Sequence, residues 1–190
     1  MNHILVIIGS APCVHDDIRH AVEIIRHAGA DYHKMCIGLT ASDMHADPVK
    51  YLATYHPALL PEIRQRREVA GGNTDYTVVS HESRPEVDII EPLLPGERSG
   101  SSALLGVQAA LKLGYVRIIL CGCPMTGEND KGNKYESFRV GWTNKQKFLN
   151  DRVRSMSGWT QALLGAPTED WLTDFRLNLT VSEKGKVKSE

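Results

Sequence analysis

The sequence predicts an α/β fold with a mainly parallel sheet flanked by helices on both faces. Three observations carry that prediction. Short apolar runs recur at His3–Ile8, Met35–Leu39 and Arg117–Cys121, without the strict alternation of a half-exposed strand, so they read as strands buried on both faces. Stretches of helical period follow or precede them, with Ile18, Val22 and Ile25 on one face and Leu104, Val107 and Leu111 on another. Breaker clusters close the runs, Gly9-Ser10-Ala11-Pro12 after the first and Gly122-Cys123-Pro124 after the last. Strand, tight loop, helix and strand in that order form a β-α-β unit, for which parallel strands and a right-handed crossover are the default.

Taken in order, the first helix opens at Asp16 or Asp17 and stops at Ala28-Gly29. A polar, turn-rich segment spans 40–49. Lys50-Tyr51-Leu52-Ala53-Thr54 reads as a third strand ending at Tyr55-His56-Pro57, and Pro61–Val69 as a charged surface helix closed by Gly71-Gly72. Tyr76–Ser80 is a further strand ending at His81. The proline-bearing stretch 82–97 is a loop with one edge strand near Val87–Ile90. Ser101 or Ser102 caps the next helix, Lys112 sits in its last turn and Gly114 just beyond it. Residues 127–133 read as a surface loop. Helices are expected over Thr143–Met156, Trp159–Leu164 and Thr168–Leu172, with a polar, disordered tail at 184–190. No repeat or linker divides the chain, so residues 1–183 are expected to form one domain.

The chain has 190 residues, 22 Lys+Arg against 23 Asp+Glu, and a net charge of −1. That balance argues against nucleic acid or an anionic membrane as partner, since both select a basic excess. The longest early apolar run is far short of the roughly 18–20 residues of a membrane helix. It is also too short for a signal-peptide core, and a cytoplasmic protein is expected. A homo-oligomer is left open. Cys13, Cys36, Cys121 and Cys123 form no CxxC pair and read as reduced thiols. All eight histidines precede residue 82, so any histidine chemistry must come from the first half.

In open α/β sheets the ligand crevice lies beyond the carboxyl ends of the strands. Strand ends here nominate Gly9, Ser10, Ala11 and Pro12, together with Asp43, His56, His81 and the run Gly122-Cys123-Pro124-Met125, beside the helix start at Ser101 and Ser102. Gly9 lets the chain turn tightly and a phosphate or ribose approach the backbone. Ser101 and Ser102 place hydroxyls and helix N-terminal N–H groups at a ready anion site. Both loops also have a purely structural reading, as a turn and a cap. His56 and His81 close strands and can act as general base or hydrogen-bond a substrate. Asp43, His45 and Asp47 alternate in a pattern that can hold a divalent ion or simply be solvated, and no metal site is assigned. Cys121 and Cys123, two apart, are expected to point alike. Arg139, in a region that can form a lid, is a candidate phosphate partner.

Two segments together carry a resemblance: Ile7-Ile8-Gly9-Ser10-Ala11-Pro12, and Gly100-Ser101-Ser102-Ala103-Leu104-Leu105 running on through Leu113-Gly114-Tyr115 to Arg117-Ile118-Ile119-Leu120-Cys121-Gly122. They resemble the Rossmann-like transferases that include the bacterial sialyltransferases and the 6-hydroxymethylpterin diphosphokinase-like proteins of the motility accessory factor type. The resemblance covers residues 3–15 and 99–125. It implies a Rossmann-like fold, a small-molecule nucleotide or nucleotide-sugar as partner, and nucleotide binding by Gly9, Ser10, Ala11, Pro12, Ser101, Ser102, Gly122 and Cys123. The implied activity is a glycosyltransferase-like transfer that needs no cofactor. The alternatives are a diphosphokinase-like pyrophosphoryl transfer, which needs Mg²⁺ and favours Asp43 or Asp47, and a non-catalytic nucleotide binder. The sialyltransferases carry Asn where this chain has Ser10, an acidic residue where it has Cys123, and a histidine downstream of that strand. A base in this chain would have to be His56 or His81.

Overall fold

The run Ile4–Ile8 forms β1, buried at every residue and lying near the middle of a seven-stranded, all-parallel sheet. The computed structural model describes residues 4–38, 47–92, 101–127 and 135–174. After β1 come α1 (Val14–His27), β2 (Tyr32–Ile37), β3 (Tyr51–Thr54), a 3₁₀ turn at Pro57–Leu59, α2 (Leu60–Val69), β4 (Thr77–Ser80) and β5 (Ile89–Ile90). The second half holds α3 (Ser102–Lys112), β6 (Arg117–Cys121), α4 (Glu136–Leu149), β7 (Val153–Ser155), α5 (Gly158–Leu164) and α6 (Glu169–Thr173). The strands run β5-β4-β3-β2-β1-β6-β7 across the sheet. Chain order therefore proceeds outward from β1 on one side, then returns to place β6 against its other edge, with Ile4 beside Arg117 and Ile8 beside Cys121.

Alternation along β1 divides the core into two layers. Ile4, Val6 and Ile8 face a layer closed by α1, α2 and α6, whereas Leu5 and Ile7 face one closed by α3, α4 and α5. The expected arrangement, an α/β Rossmann-like sheet with helices on both faces, is the one observed. Burying each of these aliphatic side chains stabilises the fold by about 1.5–3 kcal/mol. In the second layer α3 lies close to the sheet because Gly106 leaves no side chain there; a Cβ would come 2.8 Å from Met35 Sδ.

Several boundaries differ from the sequence reading. α1 begins at Val14, and its inner face is Val14, Asp17, Ala21 and Ile25, because the Gly9–Pro12 turn delivers the chain to the sheet two residues earlier than a carboxylate cap would. β2 begins at Tyr32 and the described part ends before Leu39. The helix expected over Thr143–Met156 is instead α4 followed by a strand. The chain leaves α4 at Asn150 and β7 pairs in parallel with β6, Ile118 beside Val153, which covers the β6 edge that would otherwise expose its ladder. α2 buries one of its charges: Arg67 is fully enclosed and donates to the carbonyls of Asn73 (2.7 Å) and Asp47 (2.6 Å). Arg117, also enclosed, donates to the carbonyls of Trp171 and Asp174 and lies 5.1 Å from the Trp171 ring centre, which seats α6. Among the described residues no helix is long and apolar enough to cross a membrane. The tail expected at 184–190, and the loop expected at 127–133 apart from Gly127, lie outside the described residues.

Candidate functional site

β1 and β6 are neighbours, yet the chain leaves them in opposite directions. α1 follows β1 on one face and leads to β2, while α4 follows β6 on the other face and leads to β7. Loops that diverge from adjacent parallel strands leave a crevice between them at the carboxyl end of the sheet. Here the two loops are also tied together at its base. Gly9 N–H donates to the Cys121 carbonyl (2.8 Å) and Ala11 N–H to the Gly122 carbonyl (3.2 Å). A Cβ on Gly9 would lie 2.2 Å from the Gly122 oxygen and 2.7 Å from Cys123 Sγ. Glycine is thus required at position 9 by the neighbouring loop itself. Gly122 adopts φ +65°, and a Cβ there would meet Val14 at 2.6 Å.

Above this base opens a cleft of about 290 Å³. Gly9, Ser10 and Ala11 form one wall and Gly122–Met125 the adjoining one. Ser101, Ser102 and Ala103 contribute the start of α3, Tyr55 and His56 the end of β3, and Tyr135 and Phe138 the start of α4. Of the residues nominated from the sequence, Gly9, Ser10, Ala11, Ser101, Ser102, Gly122, Cys123 and His56 are brought together here. Pro12 lies on the far side of its loop, against a second cleft. Among the described residues His81 does not line the first cleft; its ring packs on that of Tyr55, centroids 5.2 Å apart, with Nδ1 buried and without a hydrogen-bond partner there. Nε2 stands 3.9 Å from the Glu82 carboxylate.

Ser101 is the N-cap of α3, its Oγ accepting from Leu104 N–H at 3.3 Å. Ser102 Oγ accepts from Tyr55 N–H at 3.3 Å and so joins the helix start to the end of β3. Each oxygen is used as an acceptor, which leaves its hydroxyl proton to donate. The first-turn N–H groups of a helix point out of its N-terminus, here into the cleft lined by those serines. His56 is exposed at the rim, with its backbone N–H on Thr54 Oγ1 at 3.0 Å.

Other nominations take different roles. Arg139, a candidate phosphate partner, directs Nε (2.9 Å) and Nη2 (2.6 Å) at the Met125 carbonyl and packs over Trp159. It thereby supports the left-handed turn at Met125, φ +49°, on the cleft wall. Cys121 and Cys123 do not point alike. The positive φ of Gly122 breaks the strand alternation, so Cys121 enters the α1 layer and Cys123 the α3 layer. Burial pushes both thiols up, away from the reactive thiolate form. Asp43 and His45 lie outside the described residues. Asp47 lies beyond the opposite end of β3, paired with Lys34 Nζ at 2.6 Å. Among the described residues no three His, Cys, Asp or Glu side chains cluster as a metal site.

Asp17 was legible in the sequence only as an opening residue of α1. It is 6% exposed, and its Oδ2 accepts from Gly122 N–H (2.8 Å), Ser157 Oγ (2.7 Å) and the Cys13 thiol (3.5 Å). One carboxylate therefore joins α1, the loop after β6 and the start of α5. The helix dipole at the α1 N-terminus favours a negative charge there. Burial pushes the Cys13 thiol up, Ser157 opposes that and Asp17 adds to it. No family model, curated protein or solved structure matches the chain.

Proposed function

We propose that the chain is a nucleotide- or nucleotide-sugar-dependent transferase that holds its phosphate-bearing substrate in the cleft between β1 and β6. The observation that carries this reading is the convergence, at the point where strand order reverses, of the Gly9–Ala11 loop with the Ser101–Ala103 helix start. Serine O–H and helix N–H donors suit an anion, and they stabilise negative charge that grows on a leaving phosphate. Because such donors act locally, the ligand needs no excess of basic residues. A cytoplasmic setting, where nucleotide-sugars are available, agrees with this.

In the transfer, His56 takes the proton of an acceptor hydroxyl. The hydroxyl oxygen forms a bond to the anomeric carbon, and the bond from that carbon to the phosphate oxygen breaks, its electron pair passing to the phosphate. His81 is a positioning residue, acting on the rim through Tyr55. The pyrophosphoryl-transfer alternative gains nothing from Asp47, which lies away from the cleft.

Thermal denaturation with nucleotides, nucleotide-sugars and pterins, each with and without Mg²⁺, tests the reading. A ligand at a hundredfold excess over its Kd stabilises by about 2.7 kcal/mol, a rise in Tm of about 5–10 °C for a chain of this size. A shift with a nucleotide or nucleotide-sugar in the absence of Mg²⁺ is expected; no shift with any of them removes the proposal. His56→Ala should keep the shift and lose turnover, whereas full turnover in both His56→Ala and His81→Ala would exclude histidine as the base. A nucleotide shift without turnover of any nucleotide-sugar would leave a binding protein.

A further inference from the structure

The Gly9–Pro12 loop carries a second cleft on its other side, about 470 Å³ in volume. Pro12 and Cys13 border it at the start of α1, Pro124 and Thr126 after β6, and Ser157 and Gly158 at the start of α5. Ser10, Ala11, Pro124 and Tyr135 line both clefts, so the two adjoin across that shared rim. Among the described residues no ionisable carboxylate, amine or guanidinium lines the second one.

Around Asp17 its polarity is the reverse of the first. Ser157 Oγ has one proton and gives it to Asp17 Oδ2 at 2.7 Å, so towards a ligand it presents lone pairs. The Cys13 thiol is 3.5 Å from the same carboxylate oxygen and 3.3 Å from Ser157 Oγ, so its S–H is drawn into the same network. An anion placed against Ser157 and Cys13 meets lone pairs backed by a buried carboxylate. Among the described residues a cation meets no ionised side chain on this wall, and Asp17 already receives three donors. The chemistry that fits is neutral and donates hydrogen bonds. Pro12, Pro124 and the Tyr135 ring supply the apolar surface that the C–H faces of a sugar pack against.

We propose that the second cleft is the acceptor subsite and takes a neutral polyhydroxylated molecule, a sugar or glycoside, whose hydroxyls donate to Ser157 and Cys13. The acceptor role rests on the first cleft being the nucleotide site. The preference for neutral donors rests on the Cys13–Ser157–Asp17 geometry alone.

Cys13 itself reports occupancy, because Cys36, Cys121 and Cys123 are buried and Cys13 is part-exposed. In the native protein iodoacetamide should alkylate one thiol, mapped by peptide mass to Cys13. Methyl glucoside, methyl galactoside and N-acetylglucosamine are the probes. At least one should slow that alkylation by about threefold or more, as expected when bound ligand leaves a minority of sites open. Inorganic phosphate and ethylammonium should leave the rate unchanged. Ser157→Ala should abolish the sugar protection while Cys13 remains reactive, and the wild-type measurement stands by itself if that variant fails to fold. An unchanged rate with every sugar overturns the proposal, and so does protection by phosphate or ethylammonium in place of sugar. A nucleotide Tm shift without sugar protection keeps the nucleotide reading and overturns this one. Sugar protection without any nucleotide shift overturns the acceptor role.

Discussion

Asp17 receives hydrogen bonds from residues 105 and 140 positions further along the chain. Charge-assisted bonds of this kind are about twice as strong as neutral ones, and removing the acceptor leaves the buried Gly122 N–H unpaired. Asp17→Ala should therefore cost about 3 kcal/mol in urea unfolding, and Asp17→Asn, which keeps one acceptor oxygen, roughly half of that. Equal stability of both variants with the wild type would show that the network contributes nothing. The residue was hidden in the sequence because an Asp in the first turn of a helix already has a local explanation, and nothing nearby marks partners so distant. Gly9 was found by its position after a strand, where a tight turn and a ligand's approach both ask for a missing Cβ. The structure adds a third reason, the Gly122 carbonyl that a Cβ there would meet at 2.2 Å.

At the level of elements, α3 and β6 were fully legible, since cap, period, C-terminal glycine and apolar run all agree there. β7 was not. Its three residues, Val153–Ser155, lie between helices with no Gly or Pro before them, and only the open edge of β6 makes them a strand. α3 also permits a test that separates stability from binding. Ser101→Ala loses the cap and should cost about 1 kcal/mol, or roughly 2–4 °C in Tm. Ser101→Asp restores a capping oxygen and adds a charge favourable to the helix dipole, so it should fold at least as stably as Ser101→Ala. The same carboxylate faces the cleft and should eliminate the Tm shift with nucleotide, a result that a merely structural Ser101 would not give.

Across the whole molecule, covering both faces of a parallel sheet buries thiols in each layer. Burial pushes Cys36 up to about 11 from its ordinary 9.0, against the opposing pull of Arg67, and Cys13, Cys121 and Cys123 shift in the same direction. A thiol whose pKa is raised by folding keeps its proton in the folded state while the unfolded chain has begun to lose it. The stability it supplies is intact below pH 9 and declines as pH rises through about 11, with Cys36 alone accounting for about 3 kcal/mol. Tm should fall across that window, and less steeply in Cys36→Ala; a flat profile would contradict the burial of these thiols. The overall class was readable because buried strands and amphipathic helices carry different periods. What joins the clefts was not, since it depends on which loops the strand order brings side by side.

The crossing of Gly9 and Gly122 has one more consequence. Backbone bonds fasten the two loops to each other and a carboxylate holds the second from beneath, so the floor of the cleft has little freedom left to lose. A ligand arriving there meets donors already in position, and the entropy that a soft loop would surrender on closing has been given up during folding.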